Sequence, residues 1–150
     1  MQTKGASNLS RRRIAVKTVI DSYAWIEHFL GSEIGGKIDE ILQNSDEIYT
    51  PDIVLAEIAR KYAREDVEDN IIQSRLQQIE DASNIVALNA EIALLAAKCY
   101  LEMQANAKKL KLTLPGLFDA IILATGRSLN AKILTGDQHF KNLPETLWLE

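Results

Sequence analysis

The chain alternates short β-branched apolar runs with longer stretches in which apolar residues recur every three or four positions. Ile14–Ile20 (Ile-Ala-Val-Lys-Thr-Val-Ile) reads as the first strand. Glu47–Thr50, Asn84–Leu88, Ala131–Thr135 and Thr146–Leu149 read as four more. Helical periodicity fills the intervals: Ser22–Leu30, Glu33–Gln43, a helix opened by Thr50-Pro51-Asp52, Val67–Ile79, Ala90–Lys109 and Leu114–Leu129. Thr50 is expected to cap the third helix, with Pro51 in its first position, where the missing N–H costs nothing. Strand and helix in alternation predict an α/β fold, a central parallel sheet of about five strands flanked by helices. In open parallel sheets ligands bind beyond the carboxyl ends of the strands. The residues that follow each strand are therefore where chemistry is expected.

Acidic residues at such places stand out against the pattern. Asp21 directly follows the first strand, and Asp137 follows Ile133-Leu134-Thr135-Gly136, with Gly136 expected to supply a permissive backbone for a tight turn. Glu57 lies inside Ile53-Val54-Leu55-Ala56-Glu57-Ile58-Ala59, and Asp119 inside Leu117-Phe118-Asp119-Ala120-Ile121-Ile122-Leu123. On either helix the acid borders the apolar face that should pack on the sheet. An isolated carboxylate costs several kcal/mol to bury, and no Arg or Lys in these segments is placed to pair with it. One such acid could be structural, as a cap or a partner for Arg. Several together call for a divalent cation, and all-oxygen ligation favours Mg²⁺ or Mn²⁺ over zinc. Cations held this way suit phosphoryl chemistry, because they lower the pKa of a bound water and stabilise charge on phosphate oxygens. The sequence offers no Ser-His-Asp or Cys-His arrangement that would act as a nucleophile.

Composition narrows the picture. With 150 residues, 47% hydrophobic and 25% charged, the chain fits one domain with a real core. It has no Pro/Gly/Ser-rich linker and no repeat. Residues 1–13 form a polar leader ending in Arg11-Arg12-Arg13, expected to be flexible and, lacking an apolar stretch, not a secretory signal; the domain is expected over residues 14–150. No apolar run approaches the ~18–20 residues that span a bilayer. The single cysteine, Cys99, excludes an intramolecular disulfide and a cysteine-rich zinc site. A cytoplasmic protein with no membrane partner is expected. The net charge of −4 argues against coating nucleic acid with bulk positive charge, but not against a local basic patch beside a cation site.

Four segments carry a resemblance. Val19-Ile20-Asp21-Ser22, Pro51-Asp52-Ile53-Val54-Leu55-Ala56-Glu57, Leu117-Phe118-Asp119-Ala120-Ile121-Ile122 and Leu134-Thr135-Gly136-Asp137-Gln138-His139-Phe140 resemble, in order and spacing, the motifs of PIN-domain ribonucleases. The match runs from about Ile14 to the C-terminus, and so short a chain is similar to the VapC-like toxins of toxin–antitoxin pairs. The resemblance implies a PIN-like three-layer sandwich and a Mg²⁺- or Mn²⁺-dependent endoribonuclease using a metal-activated water. It implies Asp21, Glu57 and Asp119 as metal ligands, with Asp137 as a ligand or as an acid just outside the ligand shell. Ser22 and Thr135 match small hydroxyl residues that support the acids; Ser22 could equally cap the following helix. Phe118 stands where the family often has a small residue, and could narrow the mouth of the site. The implied partners are RNA, a cognate antitoxin and a second copy of the chain. A PIN nuclease of RNA processing without an antitoxin, or a non-catalytic module on the same fold, are the alternatives.

Other residues are weighed against these. Arg60, Lys61 and Arg64 follow Glu57, and Lys108, Lys109 and Lys111 precede the Asp119 helix; each group is either a solvated face or an RNA-backbone track. His139, two residues past Asp137, could lie near the site, but the favoured expectation is a loop histidine with a solvated ring; His28 is expected to be a helix-surface residue and Cys99 a small core residue. Apolar area in Trp25, Phe29, Leu30, Ile34 and Ile38 is expected to divide between the core and a partner surface. Gly35-Gly36-Lys37 lacks the rest of a phosphate-binding loop. A haloacid-dehalogenase phosphatase would need an Asp where Tyr23 stands, and a receiver domain would need an Asp on a middle strand and a late Lys.

Overall fold

A computed structural model describes residues 15–149. The leader, Met1 to Arg13, and Ile14 lie outside the described residues. Among the described residues, five strands, β1 (Lys17–Ile20), β2 (Glu47–Pro51), β3 (Asn84–Val86), β4 (Lys132–Thr135) and β5 (Thr146–Trp148), form one sheet in the order β3-β2-β1-β4-β5. Every pairing is parallel. Six helices of the described residues flank the sheet: α1 (Ser22–Leu30), α2 (Glu33–Asn44), α3 (Asp52–Arg64), α4 (Asp69–Ala82), α5 (Ala90–Lys109) and α6 (Leu117–Leu129). The expected α/β architecture is what forms, with boundaries shifted by a few residues at α4, α6, β1 and β3.

The sheet's centre explains the sequence pattern. Thr18, Val19 and Ile20 of β1, and Ile133 and Leu134 of β4, are fully buried. Strands covered on both faces read as continuous apolar runs rather than alternations. Helix α6 packs on β1, β2 and β4, and α5 packs on α6. Gly126 permits the close approach of α6 to β4, because a Cβ there would sit 2.8 Å from Ile133 Cγ1. Cys99 is buried in this core, as expected. Arg127 ties the far end of α6 down, donating to Glu102 of α5 at 2.6 and 2.9 Å and to Glu145 at 2.8 Å.

Thr50 does not cap α3. It lies in β2 as a buried strand residue, its hydroxyl accepting from Trp25 Nε1 at 3.1 Å and sharing a hydrogen bond with Ser83 Oγ at 2.7 Å. Pro51 occupies the cap position, with no side-chain hydrogen bond to the helix. The hydroxyl is taken by tertiary partners that local pattern does not reveal. Among the described residues, no helix is long and apolar enough to cross a membrane.

The topology sets the position of the site. From β1 the chain moves to β2 and β3 on one side, then returns to β4 and β5 on the other. The order therefore switches between neighbouring strands β1 and β4, the crevice where open α/β sheets bind ligands.

Candidate metal and catalytic site

Asp21 and Asp137 emerge from the carboxyl ends of β1 and β4, and Glu57 of α3 and Asp119 of α6 reach the same place. All four line one cavity of about 540 Å³, together with Ser22, Tyr23, Ile26, Leu30, Lys61 and Tyr62. The structure thus brings the four acids together from elements separated widely in sequence.

Local backbone geometry aims the three aspartates. Asp21 caps α1, its Oδ1 accepting from the Ala24 N–H at 2.9 Å. Asp119 sits in the first turn of α6 and accepts from the Gly116 N–H at 3.0 Å. Asp137 caps the short 3₁₀ turn Gln138–Phe140 and accepts from the His139 N–H at 2.9 Å. Each spends a carboxylate oxygen on an orphan amide at a helix start, where the helix dipole also favours negative charge. Ser22, read from the sequence as a possible cap of α1, is the first helical residue instead, and lines the cavity beside the acids. Thr135 is buried between two of them. It hydrogen-bonds Asp21, and its Oγ1 accepts from the Asp137 N–H at 3.0 Å.

The electrostatics are unfavourable as the acids stand. Burial pushes the Asp21 pKa up to about 7, with Asp137 and Glu57 adding repulsion and the bonds from Thr135 and Ala24 opposing it. Burial also pushes Glu57 to about 7, with further repulsion from Asp119 and Asp137 and partial relief from Arg60. Asp119 is raised first by burial and then by Asp137. Among the described residues, Glu57 Oε1 is buried without a hydrogen-bond partner. A buried, unpaired oxygen among mutually repelling carboxylates is what a cation resolves, so the donor set fits a divalent metal of the hard, oxygen-binding class.

His139 is not the solvated loop residue expected. Its side chain is 17% exposed. Nδ1 lies 2.8 Å from Asp137 Oδ1 and Nε2 lies 2.7 Å from the Thr113 carbonyl oxygen. Burial works against its charged form, but the Thr113 and Asp137 contacts outweigh that and raise its pKa. Atoms of His139, Asp119 and Asp137 all fall within 4.8 Å of one another. The only sequence signal for this was proximity to Asp137, since Thr113 lies 26 positions away.

The basic residues divide. Arg60, Lys61 and Arg64 are exposed and line a shallow depression with Ser22 and Glu57. Lys61 also pairs with Glu65 at 2.7 Å. Lys108, Lys109 and Lys111 are exposed at the end of α5, and Lys109 shares a second depression with His139. Phe118 is half-buried and lines a further opening with Glu57, Arg60 and Asp119. Of the early apolar residues, Trp25 and Ile38 are core, Phe29 and Ile34 are half-buried, and Leu30 is 68% exposed. His28 is partly covered by Trp25 and Phe29 and bonds Asp39 at 2.5 Å.

Comparison with known proteins places the chain. The family model described as PIN domain matches residues 18–145. No curated protein sequence matches the chain. Among solved structures, it is similar to a toxin–antitoxin complex from Klebsiella pneumoniae, with a TM-score of 0.63, 19% identity, and 89% of this chain and 98% of that one covered. It is similar to the VapBC2 complex of Rickettsia felis bound to a promoter DNA fragment, with a TM-score of 0.62, 18% identity, and 89% and 97% covered. It is also similar to the VapC20 toxin of Mycobacterium tuberculosis, which cleaves the sarcin–ricin loop, with a TM-score of 0.64, 14% identity, and 85% and 95% covered. At these identities the likeness is one of fold.

Proposed function

The chain belongs to the PIN-domain family, and on that premise we propose that it is a Mg²⁺- or Mn²⁺-dependent endoribonuclease acting as the toxin of a toxin–antitoxin pair. The observation that carries this reading is the convergence of Asp21, Glu57, Asp119 and Asp137 at the β1/β4 switch point, with Glu57 Oε1 buried and unpartnered.

Asp21, Glu57 and Asp119 hold the cation in this account, and Asp137 completes the acidic set. A bound divalent cation supplies Lewis-acid stabilisation of charge at the scissile phosphate and lowers the pKa of water. The chain's own residues do the rest. The backbone amides of Ala24, Gly116 and His139 fix three carboxylates before any ligand arrives, so little reorganisation is left for the reaction. Thr135 holds Asp21 and the Asp137 backbone in one frame. Arg60, Lys61 and Arg64 lie where an RNA backbone would approach Glu57, and Lys109, with Lys108 and Lys111 near it in the chain, offers charge beside His139.

Partners follow the same reasoning. Tyr23, Ile26, Leu30 and Tyr62 give the cavity an apolar arm beside the acids, suited to an antitoxin segment. The similar solved structures that are toxin–antitoxin complexes support such a partner. Leu94 and Leu101, seven positions apart and each 65% exposed on α5, support a homodimer.

The toxin reading is tested in cells. Expression of the chain should arrest growth, an Asp21→Asn or Asp119→Asn variant at equal abundance should not, and mapping of RNA ends should reveal the target. Growth arrest by the acid variants as well would remove nuclease activity as its cause.

A further inference from the structure

Among the described residues, His139 joins two parts of the site that the chain supplies separately. Its ring meets Asp137 Oδ1 through Nδ1 at 2.8 Å and the Thr113 carbonyl through Nε2 at 2.7 Å. Thr113 lies in residues 112–116, the irregular connection between α5 and α6. That connection ends in Gly116, whose N–H holds Asp119 Oδ2 at 3.0 Å. A path of hydrogen bonds and a few residues of backbone thus runs from Asp137 through the imidazole to the segment that presents Asp119.

Little else restrains that segment at its middle. Thr113 is exposed and Leu114 is 54% exposed, and Pro115 is the buried residue next to them. Pro115 has no N–H to donate. Removing the imidazole would leave the connection anchored by packing of the proline and by its ends.

We propose that His139 is a positioning residue that fixes the spacing of Asp137 and Asp119, so that both carboxylates meet the same divalent cation. This rests on the metal-nuclease reading above. The ring is placed to orient rather than to ligate. The Thr113 carbonyl and the Asp137 carboxylate both only accept, so Nε2 and Nδ1 each donate a hydrogen to one of them and neither keeps a lone pair for a metal. Groups that orient metal-binding carboxylates from outside the ligand shell typically change metal affinity by about 10–100-fold when removed.

The test uses the full chain and Mn²⁺ itself, followed by EPR titration, with thermal melting alongside. His139→Ala is expected to fold and to bind Mn²⁺ at least about tenfold more weakly than wild type. His139→Asn keeps a donor near the Nδ1 position without reaching Thr113, and should recover only part of the loss. In an Asp137→Asn background, His139→Ala should add nothing further, which a general loss of stability would not produce. Should the alanine variant not fold, His139→Gln, which keeps an amide but cannot bridge both partners rigidly, is read by the same criterion. Mn²⁺ affinity equal to wild type in the variant that folds would overturn the positioning role. So would a directly bonded imidazole nitrogen in the pulsed EPR spectrum, which would make His139 a ligand. A wild-type chain that binds no Mn²⁺ would overturn the metal reading, and the positioning role with it.

Discussion

The ring of Tyr23 lies directly over Gly136, so closely that a Cβ on the glycine would sit 2.7 Å from Tyr23 Cζ. Gly136 is not in the left-handed region; Gly31 is the described glycine with positive φ. The turn into Asp137 therefore needs glycine for the space the ring occupies, and not for the backbone freedom that the sequence pattern suggested. Gly136→Ala should destabilise the chain by about 1–3 kcal/mol through overpacking. Tyr23→Ala in the same chain should relieve most of the added cost. Urea unfolding of the two single variants and the double variant measures this, and strict additivity would show that the contact is not the cause.

The acid cluster should make the metal-free chain more stable at lower pH. The pKa of Asp21 rises from 3.8 to about 7 on folding, and that of Glu57 from 4.5 to about 7, both chiefly by burial. A raised folded pKa contributes stability fully present below the unfolded value and lost as pH rises through the folded one. With EDTA present, the melting temperature should therefore fall as pH rises from about 4 to about 8, before other groups intervene. Asp21→Asn should flatten this dependence and melt higher than wild type at the upper end, by about 2–4 °C for each kcal/mol regained. Added Mn²⁺ should raise the melting temperature of wild type there, and raise that of the variant less. A metal-free wild-type chain that gained stability over the same pH rise would contradict the burial of these acids.

Thr135 should tune Asp21. Valine at this position keeps the shape but removes the hydroxyl, leaving the Asp137 N–H without its 3.0 Å acceptor and Asp21 without a donor. The cost should be about 1–3 kcal/mol, with serine recovering most of it. Losing a bond to the charged form raises the Asp21 pKa further. The acid limb of metal-dependent activity should move to higher pH in Thr135→Val, and an unchanged pH profile would count against the coupling.

Arg127 should matter for the fold and not for the chemistry. It bonds Glu102 and Glu145 from α6, remote from the β1/β4 crevice, and those bonds hold its pKa above the ordinary guanidinium value despite burial. Its side chain is 24% exposed, so the exchange is partly screened. Arg127→Ala should cost about 1–3 kcal/mol. Lysine should rescue poorly, because one ammonium cannot reproduce the fork. Mn²⁺ affinity measured well below the melting temperature should stay at the wild-type value.

The sequence exposed the acids because they broke an otherwise regular pattern. Asp21 and Asp137 stand at the ends of apolar runs, and Glu57 and Asp119 border the buried faces of helices. Local pattern offers Ser22 as the cap of α1, whereas Asp21, one residue earlier, takes the role with its Oδ1 on the Ala24 N–H. Local pattern put Thr50 in the right strand but gave its hydroxyl to the helix as a cap, because Trp25 and Ser83, which claim that hydroxyl, are 25 and 33 positions away. The His139 ring likewise finds its partner in a carbonyl 26 residues distant, which no local pattern shows. Elements were legible where periodicity is local, and hydrogen-bond partners were not where folding supplies them from afar.

The most direct measurement is cleavage of a defined RNA containing unpaired loops by the purified chain, with and without divalent cation. Internal cuts are expected that stop on chelation, return with Mn²⁺ or Mg²⁺, and fall to background in Asp21→Asn and Asp119→Asn variants that melt no lower than wild type. Cleavage that persists in EDTA, or at the wild-type rate in either folded variant, would contradict it.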